Sequence, residues 1–143
     1  MSTSKYSGKL RVRACGLLVD DNKLLLIELK SPITNKWTWL PPGGAVRFGE
    51  SIEMALRREF KEETGIEISV ENRVFINEVI EPPIHAIEFY HLVEKKSGEL
   101  RLGNDPELSE DEQIIRDVKF FSKEEIKKMN VAPEFIRAKF WTS

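Results

Sequence analysis

An α+β fold, with helices covering a sheet, is predicted by three features of this chain. Apolar runs of strand length, bounded by turn residues, occur early and again after the middle of the sequence. A long helix over residues 50–64 separates them. A second helix start lies near the end, where Ser122 is followed three residues on by Glu125, the pattern of a capping box.

Each element follows in order. Residues 11–19 are strand-like, Asp20-Asp21-Asn22 is a turn, and residues 23–30, dense in leucine and isoleucine, form a second strand, so the pair is predicted as a hairpin. Residues 31–35 are loop and residues 36–40 a short aromatic strand. Pro41-Pro42-Gly43-Gly44 must break that strand, because proline lacks the backbone donor and glycine permits positive φ. Helix 50–64 has Ser51 as a plausible N-cap and Gly65 as its stop. Residues 73–80 and 86–95 are two further strands around Pro82-Pro83, and Lys96-Ser97-Gly98 is a turn. Residues 103–113 are an acidic loop, residues 116–121 a last strand, and Pro133 suits the first turn of a short terminal helix.

Composition narrows the function classes. A length of 143 residues predicts one domain, large enough for a core of its own. The net charge of −2 gives no general attraction to a nucleic acid polymer or an anionic membrane, so a nucleotide partner must be held by a local site or through a metal. Cys15 is the single cysteine, which excludes an intrachain disulfide, and its apolar neighbours predict a small buried hydrophobe rather than a nucleophile. No apolar run approaches the ~20 residues of a membrane span, and the polar start has no signal-peptide pattern, so a cytoplasmic protein is expected.

The helix carries the chemistry. Glu59, Glu62 and Glu63 stand at i, i+3 and i+4 and share one face. Toward the N-terminus that face continues into Ile52, Ala55 and Leu56, while Glu53, Arg57, Lys61 and Thr64 are expected on the solvated side. Three carboxylates on the continuation of a buried stripe repel one another, are costly to desolvate, and lie near the negative end of the helix dipole. A cation resolves this, and all-oxygen ligands select magnesium, manganese or calcium over zinc. Arg58 is four residues from Glu62 and can pair with it; Glu50 reaches Arg58 only if the preceding loop folds back.

Residues 44–66 read Gly44, five residues, Glu50, seven residues, then Arg58-Glu59-Phe60-Lys61-Glu62-Glu63-Thr64-Gly65-Ile66. This window resembles the signature of the Nudix hydrolase family at every specified position, and the flanking Trp39 to Gly44 segment and strand order are similar too. The resemblance implies an α/β/α sandwich with a central mixed β-sheet. It implies metal-dependent hydrolysis of a nucleoside diphosphate linked to another moiety, with Mg²⁺ or Mn²⁺ as cofactor and a small-molecule nucleotide as partner. By the same resemblance Glu59 and Glu63 are the main metal ligands, Glu62 is a ligand or the water-activating base, and the Gly44 carbonyl is a further ligand. Arg58 and Glu50 brace the loop and helix. Many members take another acid from a distant loop; Glu107, Glu110, Asp111 and Glu112 lie in that region here, with Glu112 and Glu110 favoured.

Several substrate clues stay open. Trp37 and Trp39 point to one face of their strand, where Trp39 can stack on a base or pack in the core. Arg11 and Arg13 share a face and can meet phosphate or ribose or line a solvated edge. Phe89 and His91 share a face and Tyr90 takes the other; His91 suits a satisfied core or edge position better than a catalytic one. Pro82, 16 residues beyond the window, resembles a proline of ADP-ribose-cleaving members. The alternative function is a non-catalytic nucleotide-binding regulatory module. A homodimer is possible, with Phe135, Ile136, Phe140 and Trp141 packing either internally or against a partner chain.

Overall fold

The computed structural model describes residues 8–31, 33–102 and 115–137. Strands β1 (Leu10–Asp20) and β2 (Lys23–Lys30) form the predicted hairpin. Its turn residues Asp21 and Asn22 both take positive φ (51° and 60°), the two-residue geometry whose twist suits a hairpin, and Asp and Asn tolerate it. Strands β3 (Trp37–Leu40), β4 (Gly43–Ala45), β5 (Ile66–Glu81), β6 (Ile84–Gly98) and β7 (Ile115–Ser122) complete the sheet. β4, β1, β6 and β5 lie side by side, with β1 and β6 parallel and the other pairings antiparallel. β2 lies between β3 and β7 in antiparallel pairing and is joined to β1 through the hairpin.

Helices cover both faces of this mixed sheet. Helix α1 (Ile52–Thr64) buries Ala55, Leu56 and Phe60 against Ala14, Leu18, Leu25, Ile27 and Val93. Phe60 lies directly over Gly16, where an added Cβ would stand 2.8 Å from its ring. The alternate residues of the same strands, Cys15, Leu17, Leu24 and Leu26, face a second cluster with Ile126 of helix α2 (Lys123–Ile126) and Ile136 of the 3₁₀ helix Glu134–Arg137. Burial pushes the Cys15 thiol up to about 12, in keeping with a packing role. Among the described residues, no helix is long and apolar enough to cross a membrane.

Local chemistry explains the helix ends. The Ser51 hydroxyl accepts from the Met54 N–H, and Gly65 stops α1 at φ 80° with its N–H on the Lys61 carbonyl. The capping box of α2 is complete: the Ser122 side chain accepts from Glu125 N–H, and the Glu125 carboxylate accepts from Ser122 N–H at 2.8 Å.

Five expectations are corrected. Gly43–Ala45 is not merely a break but a strand, because bare glycine backbone can lie against β1 opposite Cys15 and Ala14. β5 begins at Ile66, directly after the helix stop, and β6 runs through the predicted turn at Lys96-Ser97-Gly98. Thr64 is fully buried rather than solvated, since its hydroxyl donates to the Phe60 carbonyl at 2.7 Å and needs no water. The chain after Pro133 forms a 3₁₀ turn, with Phe135 stacked on Phe75 and edge-on to Tyr90. Phe135 and Ile136 therefore pack internally; Phe140 and Trp141 lie outside the described residues.

Candidate active site

The glycine strand β4 and the acidic helix meet. β4 crosses the C-terminal half of α1, and the Gly43 N–H donates to Glu63 Oε1 at 2.9 Å. A Cβ on Gly43 would fall 2.6 Å from the Cys15 Cα, so only glycine lets β4 approach β1 this closely. A Cβ on Gly44 would fall 2.5 Å from the Glu59 carboxyl carbon; that space is a cradle for the carboxylate. Glu59 and Glu63 are both buried, whereas Glu62, one step round the helix, is partly open.

Arg58 gathers the acids. The loop before α1 does fold back: Glu50 N–H donates to the Arg47 carbonyl at 2.9 Å, and the Glu50 carboxylate accepts from Arg47 N–H at 3.0 Å. Glu50 then takes a two-pronged grip from Arg58, Nε to Oε2 at 2.7 Å and Nη2 to Oε1 at 3.0 Å. The same guanidinium donates to the Ala45 carbonyl at 3.2 Å, to Glu59 at 3.1 Å and to Glu62 at 3.4 Å. Its hydrogen bonds hold the Glu50 carboxyl down to about 2.

The donor chemistry fits a hard cation. Glu59 and Glu63 meet the glycines of β4, and Glu62 lies beside them on Arg58; these carboxylates and the Gly44 carbonyl offer only oxygen ligands. Among the described residues no three acidic, histidine or cysteine side chains already surround a single point in metal-holding geometry; Glu59 and Glu62 are drawn to Arg58 instead.

A cavity of about 330 Å³ adjoins this strand, and Gly43, Gly44 and Glu63 belong to its wall. Arg11 and Arg13 line it from β1, as their shared face suggested. Trp39 does not. Its ring packs edge-on against Phe121, 4.7 Å between centroids, in the cluster beneath α2. Strand alternation instead turns its neighbours Thr38 and Leu40 into the cavity, so of the two readings of Trp39 the structure takes core packing over stacking on a base. Trp37 is covered by the Arg116 guanidinium, 3.9 Å above the ring. His91 lies on the sheet face opposite Tyr90 and away from the cavity, as a core or edge histidine would; it has a hydrogen bond with the Phe89 backbone, while among the described residues its Nδ1 meets no partner. Burial, with Arg73 nearby, lowers its pKa. Glu107, Glu110, Asp111 and Glu112 lie outside the described residues.

Glu88, Asn77 and Tyr90 also line the cavity, and the sequence reading assigned none of them to a site. Glu88 is buried and accepts from Arg13, from Asn77 Nδ2 at 3.0 Å and from the Tyr90 hydroxyl at 3.1 Å. The available signal was an acid at a core-facing step of a strand otherwise apolar on that face, between Ala86 and Tyr90.

Comparison with known proteins bears on family and fold. The model of the NUDIX domain matches residues 9–139. The chain is 37% identical over 98 residues to an ADP-ribose pyrophosphatase of Methanocaldococcus jannaschii, covering 66% of this chain and 57% of that one. It is 43% identical over 58 residues to an uncharacterized Nudix hydrolase of Bacillus subtilis, covering 41% and 34%. The match thus spans little more than half of the first relative and about a third of the second. A solved NUDIX hydrolase from Nitrosomonas europaea superimposes with a TM-score of 0.73 at 23% identity, over 90% of this chain and 84% of that one, a likeness of fold.

Proposed function

This chain belongs to the Nudix family, and on that premise we propose that it is a divalent-cation-dependent pyrophosphohydrolase of small nucleotide derivatives. The observation that carries the reading is the Gly43-Gly44 strand laid against buried Glu59 and Glu63, at the wall of a cavity that also holds Arg11 and Arg13. Costly buried carboxylates beside an opening of nucleotide size make sense if a cation and a polyanion meet there.

Glu59, Glu63 and Glu62, with the Gly44 carbonyl, would hold Mg²⁺ or Mn²⁺. When bound, such a cation neutralises anhydride oxygens and lowers the pKa of a water molecule. The residues supply the rest. Gly43 N–H orients Glu63, and Arg58, clamped by Glu50, keeps Glu59 and Glu62 at β4. Arg11 and Arg13 donate to the substrate from the cavity wall. Water attacks phosphorus in line, the bridging P–O bond breaks toward the leaving phosphate, and Glu62 or Glu112 takes the proton.

An ADP-ribose or sugar-nucleotide substrate is favoured over a nucleoside triphosphate. The name of the M. jannaschii relative and the position of Pro82 support that choice. The single, buried cysteine suits a reducing compartment, and we place the protein in the cytoplasm. The test is incubation with ADP-ribose, sugar nucleotides, dinucleoside polyphosphates and nucleoside triphosphates, with Mg²⁺ or Mn²⁺, and chromatography of the products. Release of a nucleoside monophosphate from ADP-ribose is the expected result. Binding across the panel without turnover would instead mark a non-catalytic nucleotide-binding module.

A further inference from the structure

We propose that Glu88 is a positioning residue that fixes Arg13 as the donor gripping a hydrogen-bond-accepting group of the substrate inside the cavity. The inference rests on the reading of this cavity as the nucleotide site. Its basis is one row of side chains across three adjacent strands: Arg13 of β1 stands opposite Glu88 of β6, which stands opposite Asn77 of β5. All three line the cavity, as does Tyr90 two residues along.

The row is ordered from its centre. Glu88 has about four acceptor sites, and Arg13, Asn77 and Tyr90 occupy three of them. The side chains of Arg13 and Glu88 are only 15% and 8% exposed, so the pair sits at the cavity floor. A buried ion pair is a poor stabiliser compared with apolar packing of the same volume, so packing alone does not explain a charged pair here. Specific recognition does. A guanidinium is a planar fork of five donors, and a carboxylate gripping one prong sets the direction of the others. Arg13 also neighbours the metal-facing strand β4, because it pairs with Ala45 and the next residue, Ala14, pairs with Gly44. In the proposal its remaining donors serve the anhydride or the group beyond it. Guanidinium N–H groups only donate, so the substrate must present acceptors there: a ring nitrogen or carbonyl of the base, or a phosphate or ribose oxygen.

The test compares wild type with Glu88→Gln, Arg13→Lys and Tyr90→Phe, reading KM and kcat separately alongside thermal melting. KM should rise about 10-fold or more in Glu88→Gln and Arg13→Lys, with a smaller change in kcat. Adding Arg13→Lys to Glu88→Gln should then cost little more, because the first change has already released the fork. Tyr90→Phe keeps the ion pair and should raise KM by about 2- to 5-fold; it decides the matter if Glu88→Gln fails to fold. An unchanged KM in folded Glu88→Gln, or in Tyr90→Phe where Glu88→Gln does not fold, overturns the proposal, as does a fall confined to kcat. Calorimetry with GMP, AMP and ribose 5-phosphate separates this failure from failure of the enzymatic reading, since it needs no turnover. Weakening of GMP alone by Glu88→Gln identifies a base carbonyl at Arg13, weakening of GMP and AMP but not ribose 5-phosphate identifies a base ring nitrogen, and equal weakening of all three identifies a phosphate or ribose oxygen. Wild-type affinity retained by Glu88→Gln for all three overturns the proposal even if no substrate is ever cleaved.

Discussion

Replacing Arg58 with alanine removes a cation that touches Glu50, Glu59 and Glu62 together. The four side chains are between 9% and 21% exposed, so the cluster behaves more like a buried network than a surface pair. Breaking a fully buried pair costs about 3–5 kcal/mol, and a surface pair is worth about 0–1. An intermediate exposure, with three carboxylates left facing one another, places the loss at about 2–3 kcal/mol. For a chain of 143 residues the unfolding entropy is roughly 0.3 kcal/mol per degree, so the melting temperature should fall by about 7–10 °C. Arg58→Lys should recover less than half of that, because an ammonium cannot serve both oxygens of Glu50 in the plane that the fork does. The gap between wild type and Arg58→Ala should narrow as the pH falls and the acids become neutral. Calorimetric melting of the cation-free proteins reads all three effects. A change under about 2 °C for Arg58→Ala would refute the claim that this arginine holds the acidic cluster together.

Other outcomes follow from the same contacts. The Glu50 carboxyl is held down to about 2 by Arg58, below its ordinary 4.5. Its folded value is depressed, so its contribution is present above about 4.5 and is lost as the pH falls toward 2. Urea midpoints measured across that window should be steeper in pH for wild type than for Glu50→Gln, and parallel curves would count against the clamp. The Cys15 thiol is buried and raised to about 12, so a thiol reagent at pH 8 should label it only as fast as the protein opens. Complete labelling of the folded protein within seconds would contradict its placement.

The parts of this molecule that local chemistry dictates were legible in the chain. Ser51, Gly65 and the Ser122–Glu125 box each act within a few residues of themselves, and their helices end where those residues stand. The i, i+3, i+4 spacing put Glu59 and Glu63 on the inward stripe, because helix geometry alone decides that. Thr64 broke the pattern, since a hydroxyl can satisfy itself on the preceding turn and be buried like an apolar group. The cavity network was hidden for a different reason. Arg13, Asn77 and Glu88 are up to 75 positions apart, and only strand register brings them into one row. Trp39 was undecided for the same reason: alternation showed that it shared a face with Trp37, but which face met the cavity depended on the partner strands.

The measurement closest to the central claim is turnover of ADP-ribose by wild type and by Glu63→Gln, each with Mg²⁺ or Mn²⁺, on protein shown by melting to be folded. Glu63 is buried, oriented by Gly43 N–H, and shared by the acidic helix and the cavity wall. The account predicts cation-dependent release of a nucleoside monophosphate by wild type and a fall of about 100-fold or more in Glu63→Gln. Cleavage by folded Glu63→Gln at the wild-type rate would contradict it.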